Sequence, residues 1–407
     1  MRDYDAVIFG ATGFTGRFIA VEWAKRFGAA TEWAIAGRSK GKLEEARKKI
    51  ISDVPGTKDI PIIIADALDE SKMIAMCKST QLVINCTGPF RLFGEPLVRA
   101  CSSTGTHYVD ICGEPQFIET MMQRYNEDAK KSGAVIVSAC GFDSVPSDMG
   151  TVFTTQQFPP EGCCSSVEAF ISVEGKRAHA TTYECVVLGL AAATDLQKLR
   201  KSDNTPIPFI GPKLIVRSVG FDSREQSYFV KFPGADASIV RNSQRFVSQN
   251  STIAPVRFAV YVGLKSAFSF FYLFLAGVFL MSLGKFQWGR DLLIKYPHIF
   301  TFGLFTHEGP TEEEMSQSKF SFRFYGKGYK NLRAGKPDWE VVTRVDGPDP
   351  GYVATSRMVT QCAKIILDGN VKVRGVVTTA SAFRDTPLIE ELHKNGITFT
   401  VEKSHSI

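Results

Sequence analysis

Clustered basic charge is what this sequence most clearly lacks. Its 48 Lys and Arg residues are nearly balanced by 42 Asp and Glu, and no block of five or more basic residues occurs. Nucleic-acid-binding domains usually concentrate Lys and Arg on one face or along one helix. We therefore predict no nucleic-acid partner. With 44% hydrophobic and 22% charged residues, the chain has the composition of a folded globular protein.

Metal-binding and secretory signals are also missing. The nine Cys and six His residues show no C-x-x-C pair or other metal-ligand spacing, so no metal site is predicted. Several cysteines, such as Cys86 and Cys140, stand in apolar stretches, which is typical of reduced, buried thiols and of a reducing compartment. The apolar run at residues 6–9 is too short for a signal peptide. An intracellular protein is therefore expected.

The first 150 residues alternate short apolar runs with helical stretches. Predicted strands cover residues 6–9, 33–36, 62–65, 82–85, 107–110 and 135–138. Predicted helices cover residues 16–26, 41–51, 68–77, 95–104 and 116–132. Strands that are almost continuously apolar are typical of a parallel sheet covered on both faces. The alternation predicts an α/β fold with a Rossmann-type doubly wound parallel sheet in residues 1–150.

The pattern changes after Gly150, and a length of 407 residues also favours two domains. Residues 151–407 are predicted to form a second, α+β domain that binds substrate and could form a homodimer. Its predicted strands cover residues 167–173, 183–188, 320–324 and 339–345. Loops rich in Gly and Pro separate these runs, so we expect an antiparallel sheet.

A glycine-rich sequence, GATGFTG at residues 10–16, follows the first predicted strand and opens the first predicted helix. Glycine permits a tight turn and lets the backbone approach a pyrophosphate, which the helix N-terminus then stabilises. The spacing is G-x-x-G-x-x-G rather than the common G-x-G-x-x-G. A Gly-rich turn without a ligand is the alternative. We predict that a dinucleotide cofactor binds through Gly10, Thr12, Gly13, Phe14, Thr15 and Gly16.

The end of the second predicted strand bears on the choice of cofactor. An NAD-binding site usually has Asp or Glu there, to hold the ribose 2′-hydroxyl. This sequence instead has Arg38 followed by Ser39, and a guanidinium can bind a 2′-phosphate with two hydrogen bonds. NADP(H) is therefore favoured over NAD(H). The alternative is that Arg38 is a surface residue that caps the strand.

The next two predicted strands also end in candidate cofactor residues. Asp66 closes the third strand, on the side where adenine usually lies, although it could instead cap the following helix. Thr87, Gly88 and Pro89 follow the fourth strand, at the carboxyl edge where ligands bind in such sheets. We expect this loop to pass close to the nicotinamide half of the cofactor.

Four residues are candidates for proton transfer. Tyr108, Asp110, Glu114 and Asp143 lie on or just after the late strands, but they form no recognisable acid–base pair. For each, a capping or structural role is the alternative, so the catalytic residues are left unassigned. Tyr261 and Lys265 have the Tyr-x-x-x-Lys spacing of short-chain dehydrogenases, far downstream of the sheet, and we interpret that match as chance.

Residues 258–284 form an apolar segment with Lys265 as its only charge. The 19 residues 266–284 are long enough, at about 1.5 Å per residue, to cross a hydrocarbon core. Three interpretations remain open: a membrane span, a helix or hairpin lying in a membrane or droplet surface, and a buried helix or dimer interface. For the second, Tyr272 and Trp288 could anchor the segment at the interface.

Several short motifs together resemble the saccharopine dehydrogenase-like oxidoreductases. They are GATGFTG (10–16), AGRS (36–39), NCTGPF (85–90), YVDICGEPQF (108–117), GFDSVPSDMG (141–150), IGPKL (210–214), GYVAT (351–355) and GVVTTASAF (375–383). The resemblance implies a Rossmann domain, a second α+β domain, and association with lipid droplets or membranes on the cytosolic side. Related bacterial members resemble trans-acting enoyl reductases of glycolipid synthesis, which implies a lipid-derived substrate.

Two classes of function are therefore expected. The first is an NADP(H)-dependent oxidoreductase acting on a lipid-related or other apolar substrate, with a role in lipid or glycolipid metabolism. The second is a cofactor-binding scaffold on lipid surfaces without catalysis. Saccharopine is not the expected substrate. A site for its amino-acid carboxylates should have many Arg and Lys residues near the predicted sheet edge, and only Arg91 and Arg99 stand out there.

Overall fold

The computed structural model describes residues 2–175, 177–202, 205–264, 266–332 and 335–407. Within these ranges the chain folds as two compact units. The first unit contains the chain up to Asp143 together with Gly351–Asn395. The second unit contains Ser144–Pro350 and Gly396–Ile407. Each unit is built around its own seven-stranded sheet.

Strands and helices alternate along most of the chain. Up to Asp143 the elements are β1 (Tyr4–Phe9), α1 (Phe14–Arg26), β2 (Trp33–Gly37), α2 (Lys40–Asp53), β3 (Ile62–Ile64), α3 (Glu70–Ser79), β4 (Thr80–Asn85), α4 (Phe90–Phe93), α5 (Glu95–Thr104), β5 (His107–Asp110), α6 (Pro115–Ser132) and β6 (Val135–Val137). From Ser144 to Pro350 they are α7 (Val145–Gln156), β7 (Cys163–Glu174), β8 (Ala178–His179), α8 (Ala180–Ala191), α9 (Ala193–Ser202), β9 (Val219–Asp222), β10 (Ser227–Lys231), α10 (Asp236–Asn250), β11 (Arg257–Leu264), α11 (Ala267–Leu283), α12 (Gln287–Lys295), α13 (Pro297–Phe300), β12 (Phe305–Thr306), α14 (Glu312–Gln317), β13 (Lys319–Tyr329) and β14 (Trp339–Pro348). A π-helical turn (Pro350–Ala354) then leads into α15 (Thr355–Leu367), β15 (Gly375–Val377), α16 (Thr379–Phe383), α17 (Leu388–Lys394) and β16 (Thr398–Ser406).

The first unit is a doubly wound parallel sheet. Its strand order is β15-β6-β5-β4-β1-β2-β3, and the paired strands run parallel. The strand order reverses between β1 and β4, so the carboxyl ends of these two strands form the switch point at which such sheets bind ligands. The six strands predicted from the first 150 residues are confirmed, because nearly continuous apolar runs such as Val7–Ile8 and Leu82–Ile84 are completely buried.

The seventh strand of this sheet comes from the far end of the chain. β15 pairs with β6, and α15 packs on α1, β4 and β5. The predicted division at residue 150 therefore separates residues 351–395 from the unit in which they fold. Three consecutive residues, Gly375–Val377, form this strand, and a run so short could not be assigned to a distant sheet from the sequence.

The second unit contains a mixed sheet rather than the predicted antiparallel one. Its strand order is β16-β14-β13-β7-β11-β10-β9, and β7 and β11 run parallel while the other neighbours are antiparallel. The long connection between β7 and β11, which includes α8, α9 and α10, allows the crossover that a parallel pair requires. The predicted strands at 167–173, 320–324 and 339–345 lie within β7, β13 and β14.

Two further segments of the second unit differ from the predictions. Residues 183–188, predicted as a strand, lie in helix α8, where Tyr183 and Val187 share one face and pack against Leu293 of α12. A six-residue, mostly apolar stretch is too short for its periodicity to separate helix from strand, so the packing partners decide. Residues 258–264 of the apolar segment lie in β11, and Tyr261 is buried there, whereas Lys265 lies outside the described residues.

Helix α11 contains the rest of the apolar segment. Every one of its 17 residues is at least partly exposed, and Phe268 is 76% exposed. Leu280 and Leu283, near the end of the helix, pack against the cluster formed by Tyr183, Val187 and Leu293. Within the described ranges, no helix is both long and apolar enough to cross a membrane. Helix α11 is therefore not the buried helix of the third interpretation, and it presents a large apolar surface.

A partly buried histidine joins two strands of the first sheet. The Nδ1 atom of His107, the first residue of β5, accepts a hydrogen bond of 3.0 Å from the Val135 N–H of β6. Burial, together with the charges of Arg374 and Arg2, lowers the pKa of His107 from 6.5 to about 4. The ring must therefore be neutral for this strand junction to form, because a protonated Nδ1 cannot accept a hydrogen bond.

Acidification should weaken this junction, and His107→Asn should remove most of the effect. A pKa that is lower in the folded state gives stability that is complete above pH 6.5 and is lost as the pH falls toward 4. The loss is up to about 3 kcal/mol, since one pKa unit corresponds to about 1.4 kcal/mol. We expect hydrogen exchange at Val135 to accelerate between pH 6.5 and 4.5 in the wild type, after correction for intrinsic exchange. An equal acceleration in His107→Asn, whose amide oxygen stays neutral, would contradict the prediction.

Candidate functional site

The glycine-rich loop lies at the carboxyl end of β1, where the sheet reverses its order. Gly10 adopts the left-handed conformation, with φ of +87°, and its N–H donates to the Ala36 carbonyl of β2. A side chain at Gly16 would collide with the Gly10 carbonyl group. The loop is therefore pressed against the start of α1, which begins at Phe14 with Gly13 as its N-cap. Thr12 and Gly13 are exposed at the tip, where a ligand can approach the N–H groups of the first helical turn.

The loop after β4 packs directly against the glycine-rich loop. A Cβ atom at Gly10 would lie 2.5 Å from the Thr87 hydroxyl oxygen, so only glycine permits this approach. The Thr87 Oγ1 atom is buried and has no hydrogen-bond partner among the described residues. Gly88 and Pro89, joined by a cis peptide bond, complete the loop. A dinucleotide fits this edge, because it would supply phosphate oxygens to the exposed N–H groups and a partner to the unpaired hydroxyl.

Arg38 and Ser39 stand at the carboxyl end of β2, on the neighbouring strand. Arg38 is exposed, and Ser39 is the N-cap residue of α2. Its hydroxyl makes no capping hydrogen bond within the helix. A 2′-phosphate placed here would meet a guanidinium and the N-terminus of a helix, and both favour negative charge.

Asp66 follows β3 at the same edge of the sheet. Its Oδ1 atom accepts the Leu68 N–H at 3.0 Å, and Asp69 is the residue whose side chain caps α3. Asp69, and not Asp66, therefore caps helix α3. Gly10, Thr87, Arg38 and Asp66 thus end four adjacent strands, β1, β4, β2 and β3, and the structure brings them to one edge.

A buried hydrogen-bond network joins the ends of β4, β5 and β6. The Asn85 amide donates to the Tyr108 hydroxyl at 3.0 Å, and that hydroxyl donates to Asp110 at 2.8 Å. Asp110 also accepts hydrogen bonds from the Ser138 hydroxyl and from the backbone N–H groups of Cys112 and Ala139. Burial raises the pKa of Asp110 to about 6, although these donors act in the opposite direction. Because Asn85 Oδ1 accepts the Thr87 N–H, the network holds the loop that carries Thr87.

A second buried carboxylate holds the other end of the same loop. Glu114 Oε1 accepts the Phe90 N–H at 2.7 Å, and Oε2 pairs with the Arg91 Nε atom at 2.9 Å. Glu114 is 2% exposed. Residues 87–90 are therefore held at one end by Asn85 of β4 and at the other end by Glu114, from the loop between β5 and α6. Of the four proton-transfer candidates, Tyr108, Asp110 and Glu114 have structural partners.

Asp143 differs from the other candidates. It is the last residue of the N-terminal part of the first unit. Its side chain packs closely on Gly113, where an added Cβ atom would lie 2.7 Å from the Asp143 Oδ2 atom. Its Oδ1 atom is buried without a hydrogen-bond partner in the described ranges. Burial is the cause that raises the pKa of Asp143 to about 6. A carboxyl group in this state can hold a proton near neutral pH and release it to a ligand.

Two site residues from the end of the chain were missed by the sequence analysis. The Tyr352 ring lies edge-on to Phe14 of the glycine-rich loop, with centroids 4.8 Å apart. The Thr355 hydroxyl accepts the Phe142 N–H at 3.1 Å, and it packs so closely on Gly141 that a side chain there would not fit. Both belong to the GYVAT motif, which could have indicated a role at the site. The sequence analysis assigned this motif to the second domain because it lies after residue 350.

Comparison with known proteins agrees with this geometry. Residues 6–137 match the family model of the saccharopine dehydrogenase NADP-binding domain. Over 426 residues the chain is 38% identical to the saccharopine dehydrogenase-like oxidoreductase of Mus musculus, covering 100% of this chain and 99% of the relative. It is 35% identical over 435 residues to the Lipid droplet localized protein of Caenorhabditis elegans, covering 100% of both chains. A relative from Arabidopsis thaliana, named "Probable mitochondrial saccharopine dehydrogenase-like oxidoreductase", is also 35% identical, over 97% of this chain and 96% of its own.

Among solved structures, the chain is similar to an apo saccharopine dehydrogenase (L-Glu forming) from Saccharomyces cerevisiae. The TM-score is 0.58 at 14% identity, and the match covers 98% of this chain and 100% of that chain. An identity this low shows a shared fold. The full-length relatives show more, because they are more than one third identical over nearly their whole length. The chain therefore belongs to the saccharopine dehydrogenase-like oxidoreductases, and its first unit is an NADP(H)-binding domain.

Proposed function

We propose that this oxidoreductase uses NADP(H) to reduce or oxidise a lipid-related or other apolar substrate while it is attached to a lipid surface. The observation that carries the proposal is the exposed apolar helix α11 on a chain that also carries an NADP-binding domain. The name of the Caenorhabditis elegans relative supports a lipid-droplet location, while the Arabidopsis thaliana relative is named as mitochondrial. Both locations offer a lipid surface.

The cofactor-binding residues are proposed from their positions at the sheet edge. Gly10, Thr12, Gly13, Phe14, Thr15 and Gly16 would hold the pyrophosphate, while Arg38 and Ser39 would hold the 2′-phosphate. Asp66 would border the adenine side, and Thr87, Gly88 and Pro89 would border the nicotinamide side. The nicotinamide, when bound, supplies or accepts the hydride, so the chain itself must orient the substrate and move a proton.

Arg38→Glu should change the cofactor preference. It replaces a bidentate donor with a carboxylate that repels the 2′-phosphate, so we expect the Kd for NADPH to rise about thirtyfold or more, which corresponds to about 2 kcal/mol. The Kd for NADH should change less than threefold. Fluorescence titration with both cofactors measures this. Lys49→Glu, an equal charge change at an exposed position of α2, is the control and should bind NADPH as the wild type does. Equal binding of NADH and NADPH by the wild type would contradict the assignment.

Asp143 is the proposed proton donor for the reduction. Its buried, unpaired oxygen separates it from Asp110 and Glu114, whose oxygens are occupied by structural donors, although the pKa of Asp110 is also raised to about 6. A carboxyl group with a pKa of about 6 is protonated below that pH, so the rate of reduction should fall as the pH rises through about 6.

Asp143→Asn should therefore lower NADPH oxidation about a hundredfold, without changing the Kd for NADPH. The assay is a screen of the wild type against lipids that carry enoyl or keto groups, followed by a pH profile with the best substrate. Asp128→Asn, at an exposed position of α6, serves as the control. If no substrate of this panel is turned over by a wild type that binds NADPH, the scaffold function is favoured instead. An unchanged pH profile in Asp143→Asn would exclude it as the proton donor.

The exposed surface of α11 is the proposed lipid contact. Phe268, Phe271 and Phe274 are all more than half exposed, and no charge occurs within the helix. A helix that is apolar all round and only partly covered by its own fold leaves an apolar surface that a lipid layer can cover. Trp288, which is 62% exposed, and Tyr272 are suited to the boundary between acyl chains and headgroups.

Replacement of these three phenylalanines with serine should weaken lipid attachment at least tenfold. Each inserted aromatic side chain contributes about 1 kcal/mol or more through burial of its apolar area. Flotation of the full chain on phosphatidylcholine–phosphatidylserine vesicles and on triacylglycerol droplets coated with the same lipids measures the bound fraction. Leu68→Ser/Leu332→Ser removes exposed apolar side chains elsewhere and should leave binding unchanged. Equal flotation of the phenylalanine variant and the wild type would contradict lipid attachment through α11.

A further inference from the structure

A second exposed apolar area lies on the edge of the sheet in the second unit. β9 is the outermost strand, and it forms a hairpin with β10. Phe221 and Val219 of β9 and Tyr228 of β10 are all about half exposed. Ile215, in the segment leading to this hairpin, is 80% exposed. Edge strands usually carry charged or small side chains, so an apolar edge indicates a contact that the isolated chain does not make.

This area is continuous with the surface of α11. The Phe221 and Tyr228 rings meet edge-on with centroids 5.4 Å apart, and the Tyr228 ring lies 5.8 Å from the ring of Phe270 in α11. β10 also pairs with β11, the strand that precedes the helix. The hairpin thus lies beside the first turns of α11, where Phe268 and Phe271 are exposed. One apolar surface extends from the sheet edge along the helix.

Charged side chains border this surface in a consistent pattern. Lys213 and Lys231 are exposed beside the hairpin, and Lys285 and Lys295 are exposed beyond the other end of α11. Both carboxylates of the hairpin are occupied: Asp222 pairs with Arg217 at 3.0 Å and Arg224 at 2.9 Å, and Glu225 pairs with Arg323 at 3.4 Å. Asp291 is also exposed beyond the end of α11, but the four lysines outnumber it. The net charge of these bordering residues is therefore positive, which is complementary to anionic lipid headgroups.

We infer that the β9–β10 hairpin, with Ile215, is a second contact of the lipid-binding surface, so that α11 lies along the lipid surface rather than entering it end-on. The inference rests on the lipid attachment proposed above. A helix inserted end-on would leave the hairpin in water at its entry point, whereas a helix lying flat brings both apolar areas into the acyl-chain boundary together.

The composition of the surface favours lipid over a protein partner. Protein interfaces carry about one hydrogen bond per 100–200 Å² of buried area. Along α11 the polar side chains are Ser269, Tyr272 and Ser282, and the Ser282 hydroxyl already donates to the Val278 carbonyl within the helix. The helical part of the surface therefore offers few donors to fix the position of a protein, whereas a fluid lipid layer requires none.

The test compares three variants of the full chain on the same vesicles and coated droplets. Ile215→Thr/Val219→Thr/Phe221→Thr removes the exposed apolar groups and keeps residues that favour strands. We expect it to bind vesicles about tenfold more weakly than the wild type. Lys213→Glu/Lys231→Glu should lose binding to anionic vesicles and keep binding to vesicles of phosphatidylcholine alone. Leu68→Ser/Leu332→Ser should bind as the wild type does. NADPH affinity and the thermal unfolding temperature check that each variant folds.

The outcomes separate this inference from the lipid attachment itself. Wild-type binding by the threonine variant, with loss of binding in the α11 phenylalanine variant, overturns the hairpin contact and leaves lipid attachment intact. Failure of the wild type to bind any lipid overturns both. A wild-type dimer that the threonine variant converts to monomers, seen by sedimentation, identifies the hairpin as an interface between two copies and also overturns the inference. Phe221→Trp in a Trp288→Phe background gives an independent measurement, because brominated lipid should quench emission that Trp288→Phe alone lacks. Equal quenching of Phe221→Trp/Trp288→Phe and Trp288→Phe would overturn the hairpin contact.

Discussion

Close approach of the backbone at the carboxyl edge of the parallel sheet is the constraint on which the first unit depends. Gly10 contacts the loop of Thr87, Gly16 contacts Gly10, and Gly141 contacts Thr355. At each of these three positions a methyl group would force two segments apart. The three contacts lie at neighbouring strand ends, so they bring together the segments that would surround a dinucleotide. They also leave the backbone N–H groups of the glycine-rich loop accessible.

Buried carboxyl groups at this edge serve different purposes according to how their oxygens are occupied. Asp110 accepts four hydrogen bonds and Glu114 binds both a backbone N–H and a guanidinium. Their charge is compensated, so they hold loops in position. Asp143 has a buried oxygen that lacks such a partner among the described residues. An uncompensated carboxyl group costs stability, and a position that tolerates that cost is suited to chemistry.

Prediction from the sequence succeeded where local patterns determine structure. Six strands of the first sheet were found because each is a short, almost continuous apolar run. The glycine-rich loop was placed at the end of the first strand because Gly10, Gly13 and Gly16 follow that strand directly. Residues 183–188 were wrongly predicted as a strand, because the partner that makes them helical, Leu293, is more than 100 residues away. For the same reason Tyr352 and Thr355 were not assigned to the site. Their role depends on pairing between segments that are distant along the chain, which no local pattern records.

The return of the chain to the first sheet has a consequence for how the protein is made. β15 covers the edge of β6, and α15 covers α1, β4 and β5, yet both are synthesised after the whole of the second sheet except β16. During translation, one strand edge and one apolar face of the first 143 residues therefore stay uncovered until most of the second unit has emerged from the ribosome. Chaperones that shield exposed strands would act on this protein during that interval, and a chain interrupted before residue 375 would lack the strand that covers the edge of β6, although the glycine-rich loop had already been made.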